Sequence, residues 1–123
     1  MSDTPFKGKK GMTRLRGAVS YSVQGFSAAF HHEEAFRQEV FCALVMVPLA
    51  LLLPVGGTGK ALMIGSVLLV LIVELVNSAI EATIDRISLE NHRLAKRAKD
   101  LGSAAVALAI VNTVIVWLLV LLF

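Results

Sequence analysis

Residues 61–85 read Ala61-Leu-Met-Ile-Gly-Ser-Val-Leu-Leu-Val-Leu-Ile-Val-Glu74-Leu-Val-Asn77-Ser78-Ala-Ile-Glu81-Ala-Thr-Ile-Asp85, and the junction at Glu74 decides the fold. The run before it is apolar, and an ionisable group at the inner end of a membrane helix marks function by default because it is expensive to keep there. Asn77, Ser78, Glu81 and Asp85 follow Glu74 at offsets of three, four, seven and eleven. On a helix turning about 100° per residue they share one stripe roughly 100° wide. Such a row, running from within a membrane toward its edge, implies a metal-assisted site acting on something dissolved in lipid.

Working outward, 56% of the 123 residues are hydrophobic and the mean hydropathy is +0.74, against roughly 45–50% apolar in an average soluble domain. A single domain of this length cannot bury so much Leu, Val, Ile and Ala in a soluble core, so lipid or other copies of the chain must cover it. The lone cysteine, Cys42, excludes a disulfide framework and a CxxC metal pair. Three stretches approach the roughly 20 residues that span a bilayer. They cover residues 36–54, where Pro48 is expected to kink the helix, 60–82, which carries the acidic row, and 102–123. Pro54-Val-Gly-Gly-Thr-Gly59 is a short loop of breakers that makes the first two spans antiparallel neighbours.

Before the spans, Leu15, Val19, Val23, Phe26 and Phe30 recur at three- and four-residue spacing, which predicts an amphipathic surface helix over residues 13–33. Residues 1–12 are polar and basic and are expected to form a flexible arm. The first strongly apolar run begins too late for a signal peptide. Lys7, Lys9, Lys10, Arg14 and Arg16 precede the first span, Arg86, Arg93, Lys96, Arg97 and Lys99 lie between the second and third, and only Lys60 falls in the other loop. Basic segments stay on the cytoplasmic side. The amino terminus and the 83–101 segment are therefore expected inside, and the carboxyl terminus outside. The net charge of +3 is read as topology plus a phosphate site, with no nucleic-acid binding.

Glu74 is the deep acid, because Glu81 lies about 10 Å and Asp85 about 16 Å further along the helix. A carboxylate held out of bulk water can accept a proton from an alcohol at headgroup level. Glu81, nearer water, suits a hard cation such as Mg²⁺, which takes oxygen ligands and bridges carboxylates to nucleotide phosphates. The cations near Glu90-Asn-His-Arg93 and Arg97-Ala-Lys-Asp100 are either topological anchors or a phosphate site, and the residues leave both open. Gly56-Gly-Thr-Gly59-Lys60 is not a phosphate loop, since Pro54 and Ala61 stand where a glycine and a hydroxyl are required; His31-His32-Glu33-Glu34 lacks zinc-protease spacing. No soluble-kinase signature is present.

Glu74-Leu-Val-Asn-Ser-Ala-Ile-Glu-Ala-Thr-Ile-Asp85-Arg, followed by Arg97-Ala-Lys-Asp-Leu-Gly-Ser-Ala-Ala-Val106, closely resembles the hallmark region of the prokaryotic integral-membrane diacylglycerol kinases. Thr13-Arg14, Tyr21-Ser22, Gly25 and the Glu33 to Glu39 stretch fit in order, so the resemblance covers nearly the whole chain. It implies an all-α membrane protein, a homotrimeric bundle of three-span subunits, each with a surface helix and with sites at subunit interfaces. It also implies an ATP-dependent kinase with Mg²⁺ that converts diacylglycerol to phosphatidic acid at the bacterial inner membrane. By that likeness Glu74 is the catalytic base, Asn77 its polar neighbour, and Glu33 and Glu81 the Mg²⁺ ligands. Arg14, Tyr21, Glu33, Glu81, Glu90, Asn91, His92, Lys99 and Asp100 would meet nucleotide. Arg14, Ala35, Phe36, Arg37, Gln38, Glu39, Glu74 and Ser103 would meet lipid. Undecaprenol kinase activity is the alternative within the family. Outside it stand a small proton-coupled transporter using Glu74 and a non-enzymatic membrane subunit.

Overall fold

The computed structural model describes residues 10–87 and 92–123. Its regular structure is entirely helical: α1 (Met12–His32), α2 (Glu34–Leu52), α3 (Gly57–Ile87) and α4 (His92–Leu122). Glu34–Leu52, Gly57–Ile87 and Arg93–Leu122 are long and apolar enough to cross a membrane, as the three hydrophobic runs predict. α2 continues through Pro48 to Leu52. At 31 residues each, α3 and α4 are about 46 Å long, roughly 16 Å more than a hydrocarbon core of about 30 Å. The excess is polar and lies at one end of the α3–α4 hairpin. The described residues of the 83–101 segment prolong the two helices.

α1 starts after Gly11, whose φ of 62° suits a residue without a Cβ. It ends at a single extended residue, Glu33 (φ −117°, ψ 109°), beyond which α2 begins. A helix end leaves carbonyls without intrahelical donors. Here Arg37 Nη1 reaches back to donate to Phe30 O at 2.8 Å and His31 O at 3.1 Å. The rings of Phe30 and Phe41 meet edge to face, 5.9 Å apart, across the same corner. The α1–α2 bend is thus held from both sides, with Glu33 at its apex.

At the opposite end, α2 finishes before Pro54, and Val55 N donates to Leu53 O at 2.8 Å in a tight turn. Lys60 Nζ then donates to Ala50 O, Leu51 O and Leu53 O at 3.2, 2.8 and 2.7 Å. A cation on carbonyls at a helix C-terminus meets both their orphaned lone pairs and the negative end of the dipole. The side chain read only as an isolated charge in the outer loop is therefore a cap.

α3 is the centre of the bundle, packing against both α4 and α2. Its buried residues, Met63, Ser66, Val67, Val70, Glu74 and Asn77, follow the three- and four-residue spacing of one helical face. α2 contributes buried Phe36, Ala43 and Ala50, and α4 buried Gly102 and Ala109, small residues that admit a close helix partner. Facing pairs step evenly along the α3–α4 seam. Trp117 Nε1 donates to Met63 O at 3.2 Å, Thr113 Oγ1 to Ser66 O at 3.0 Å, and Gly102 abuts Asn77. Much of the outer surface is apolar, with Leu44, Val45, Leu52, Leu108 and Leu122 all more than half exposed. Lipid or further copies of the chain are the media that such a surface suits.

Candidate active site

The face of α3 that carries Met63, Val67 and Val70 does not turn away when the acids begin; it becomes Glu74 and Asn77. Both are buried, each 6% exposed. Glu81, one turn beyond Asn77, is half-buried, and Asn77 Nδ2 donates to Glu81 Oε2 at 3.4 Å. The expected single stripe is present.

A second element supplies the other wall. Glu39, on the first turns of α2, stands near enough to Glu74 for the two carboxyl groups to interact, and Glu33 and Glu81 lie near enough for their charges to act on Glu74. The apex of the α1–α2 corner therefore points its acid toward the same place as the α3 row. Three polar atoms here are buried without a hydrogen-bond partner: Glu39 Oε1, Asn77 Oδ1 and Ser78 Oγ. Buried polar groups are ordinarily paired, so a cluster of exceptions calls for an explanation such as a ligand.

Further out, Lys99 Nζ on α4 pairs with Asp85 Oδ1 at 2.8 Å. Both belong to the polar extension beyond the apolar part of the hairpin. The hydrogen bond and then the charge of Asp85 raise the pKa of Lys99 above the ordinary lysine value, so the ammonium stays charged. Asp100 pairs instead with Lys96 at 2.7 Å on the exposed side, and Ser103 is exposed one residue past Gly102.

Beside the acids, a groove of about 640 Å³ runs between α1 and α3. Gly25, Ala28, Ala29, Ala79 and Ala82 keep it wide, while Ser22, His32, Glu33 and Ser78 give it polar points. A second cleft of about 300 Å³ reaches from Glu39 past Cys42 and Met46 to Val70 and Val114 within the apolar part of the bundle. Sequence reasoning missed the first groove because it followed the large apolar residues of α1. The signal was the small-residue series Ser22, Gly25, Ala28 and Ala29, spaced for a second helical face.

The other residues singled out in the sequence are more dispersed. Arg14 and Tyr21 stand on α1 about 28 Å and about 18 Å along the helix from Glu33, outside the carboxylate cluster. Phe36 is 3% exposed and serves as packing, Arg37 is engaged on the α1 carbonyls, and Ala35 and Gln38 face outward. Glu90, Asn91 and the side chain of His92 lie outside the described residues, as do residues 1–9 of the arm.

A donor set for a cation can be judged by its chemistry. Among the described residues no group of three or more His, Cys, Asp or Glu converges as a closed metal cage. Mg²⁺ needs no such cage, since it is commonly held by one or two carboxylates together with substrate phosphates and water. Glu33 and Glu81 are oxygen donors of the kind that such a pattern uses.

Known proteins match the chain over nearly its whole length. The family model for prokaryotic diacylglycerol kinase matches residues 20–121. A diacylglycerol kinase of Pseudomonas aeruginosa is 53% identical over 122 residues, covering 99% of each chain. That of Escherichia coli is 50% identical over 111 residues, 90% of this chain and 91% of the relative, and one from Helicobacter pylori is 40% identical over 108 residues, 88% and 84%. A helical bundle with three candidate membrane spans and a buried Glu74, matched over nearly its whole length to such relatives, is a kinase and a member of the prokaryotic diacylglycerol kinase family.

Proposed function

We propose that the enzyme transfers the γ-phosphoryl group of ATP to the free hydroxyl of diacylglycerol, giving phosphatidic acid at the cytoplasmic face of the inner membrane. The observation that carries this reading is Glu74, buried on the core face of α3 where that face passes from apolar to acidic. A lipid alcohol seated with its chains along the apolar bundle and its hydroxyl beside Glu74 would give its proton to the carboxylate as oxygen attacks phosphorus. The new O–P bond forms, the bond to the β-phosphate oxygen breaks, and ADP leaves.

Positioning and charge stabilisation supply most of the acceleration in such transfers. Asn77 steadies Glu81 through its amide, and Lys99 offers a permanent cation to the nucleotide phosphates. Glu33 and Glu81 would hold Mg²⁺, which would supply charge neutralisation for the transferring group. The groove between α1 and α3 has the apolar lining and the few polar points that suit an acylglycerol.

α1 lies in the membrane interface in this reading, with Leu15, Val19, Val23 and Phe26, all more than half exposed, directed to lipid. The basic segments keep the polar end of the hairpin on the cytoplasmic side. Arg14 and Tyr21, remote from Glu33 along α1, would reach nucleotide in a neighbouring subunit of a trimer. Membership of a kinase family displaces the transporter and the non-catalytic subunit. The test is transfer of radiolabelled phosphate from ATP to a panel of lipid alcohols in mixed micelles. Diacylglycerol should be labelled, and preferential labelling of undecaprenol would move the assignment to that alcohol.

A further inference from the structure

The seam between α3 and α4 closes most tightly where Gly102 meets Asn77. A Cβ built on Gly102 would overlap Asn77 Oδ1 and come within 3.0 Å of Asn77 Cγ. Gly102 is buried, and Oδ1 is itself buried and has no conventional donor. What faces Oδ1 is therefore the C–H of Gly102 that occupies the direction a side chain would take, a weak but favourable contact for a carbonyl oxygen. The other end of the same amide, Nδ2, donates to Glu81 Oε2 at 3.4 Å.

An asparagine amide turned over at χ2 would set Oδ1 against the Glu81 carboxylate, oxygen to oxygen. With its oxygen fitted against Gly102, the amide has only its donor end left for Glu81. From this contact we infer that Gly102 is a positioning residue of the kinase: its missing side chain selects the orientation in which Asn77 steadies Glu81. The inference rests on the proposed roles of Asn77 and Glu81. It also makes a particular claim about what an added methyl would do. The obstacle is the tip of a side chain and not backbone, so the chain can fold around an alanine by turning the amide aside.

The test uses the full-length enzyme in mixed micelles with diacylglycerol and Mg·ATP, comparing wild type, Gly102→Ala, Asn77→Ala and the double variant. Gly102→Ala should keep the wild-type unfolding midpoint while turnover falls by about tenfold to a hundredfold, the scale of effect that small misplacements have on pre-organised sites. The ¹⁵N resonance of the Asn77 side-chain amide should shift in the same variant. In the Asn77→Ala background there is no amide to displace, so adding Gly102→Ala should cost nothing more.

Full turnover in Gly102→Ala beside an impaired Asn77→Ala overturns the inference and leaves the role of Asn77 standing. A fully active Asn77→Ala removes that role and the inference with it. A Gly102→Ala defect that repeats undiminished in the Asn77→Ala background, or a Gly102→Ala protein that does not fold, makes Gly102 a packing residue and equally overturns it.

Discussion

The two ends of α3 solve the same problem in opposite ways. Toward Gly57, polar groups are held by backbone carbonyls: Lys60 donates to three of them, and Trp117 and Thr113 donate to Met63 O and Ser66 O. Near Glu74, Ser78 Oγ of α3 and Glu39 Oε1 of α2 are buried without partners, and Asn77 Oδ1 meets only Gly102. Unpaired polar atoms in a low-dielectric setting are costly, so the satisfied end reads as structure and the unsatisfied end as a surface shaped for something that arrives later. Stability should therefore be concentrated at one end of the bundle and chemistry at the other.

The strongest challenge to that division is Glu74→Gln. Loss of a general base should lower turnover by about 10²–10⁴-fold with no loss of thermal stability, since an amide is easier to bury than a carboxylate. Normal lipid phosphorylation by this variant would remove Glu74 from its role. Next in size, Glu81→Gln should raise the KM for Mg·ATP by about tenfold or more while the KM for diacylglycerol stays where it is. An unchanged nucleotide titration would show that Glu81 does not serve the metal.

At the satisfied end the signs reverse. Lys60→Met strips the α2 carbonyls of their shared donor and should cost about 1–3 kcal/mol of stability, read by unfolding in mixed detergent, with specific activity of the folded enzyme preserved. A large drop in turnover at unchanged stability would break the contrast between the two ends. The smallest effect is expected for Trp117→Phe, which deletes one interhelical hydrogen bond worth about 0.6 kcal/mol in membrane bundles. A destabilisation several times larger would mean that the indole packs as well as donates.

The sequence made the spans and the acid row legible because both are local. A run of Leu, Val and Ile reports hydropathy without reference to any other segment, and Glu74, Asn77 and Glu81 fall on one face by spacing alone. What escaped was set by partners distant in the chain. Nothing near Lys60 says that it reaches back over ten residues to Ala50, and nothing near Gly102 says that Asn77 will stand against it. Phe36, placed with lipid contacts by likeness, is buried beside the α1–α2 corner, and that corner depends on one extended residue. The continuation of α3 to Ile87 and the start of α4 at His92 were hidden for a different reason. Polar residues continue a helix as readily as apolar ones do, so hydropathy marks where lipid ends and not where the helix does.

The stretch from Gly57 to Glu74 is also a measuring rod. Seventeen residues of rise amount to about 26 Å, slightly less than a hydrocarbon thickness of about 30 Å. In the function proposed above, that rise would hold the carboxylate at one altitude, just beneath the headgroups of a single leaflet, at the level of an acylglycerol hydroxyl. Selectivity would then begin as a matter of elevation: a lipid alcohol would meet the proposed base without leaving its leaflet, and water-soluble alcohols that share the same functional group would stay above it.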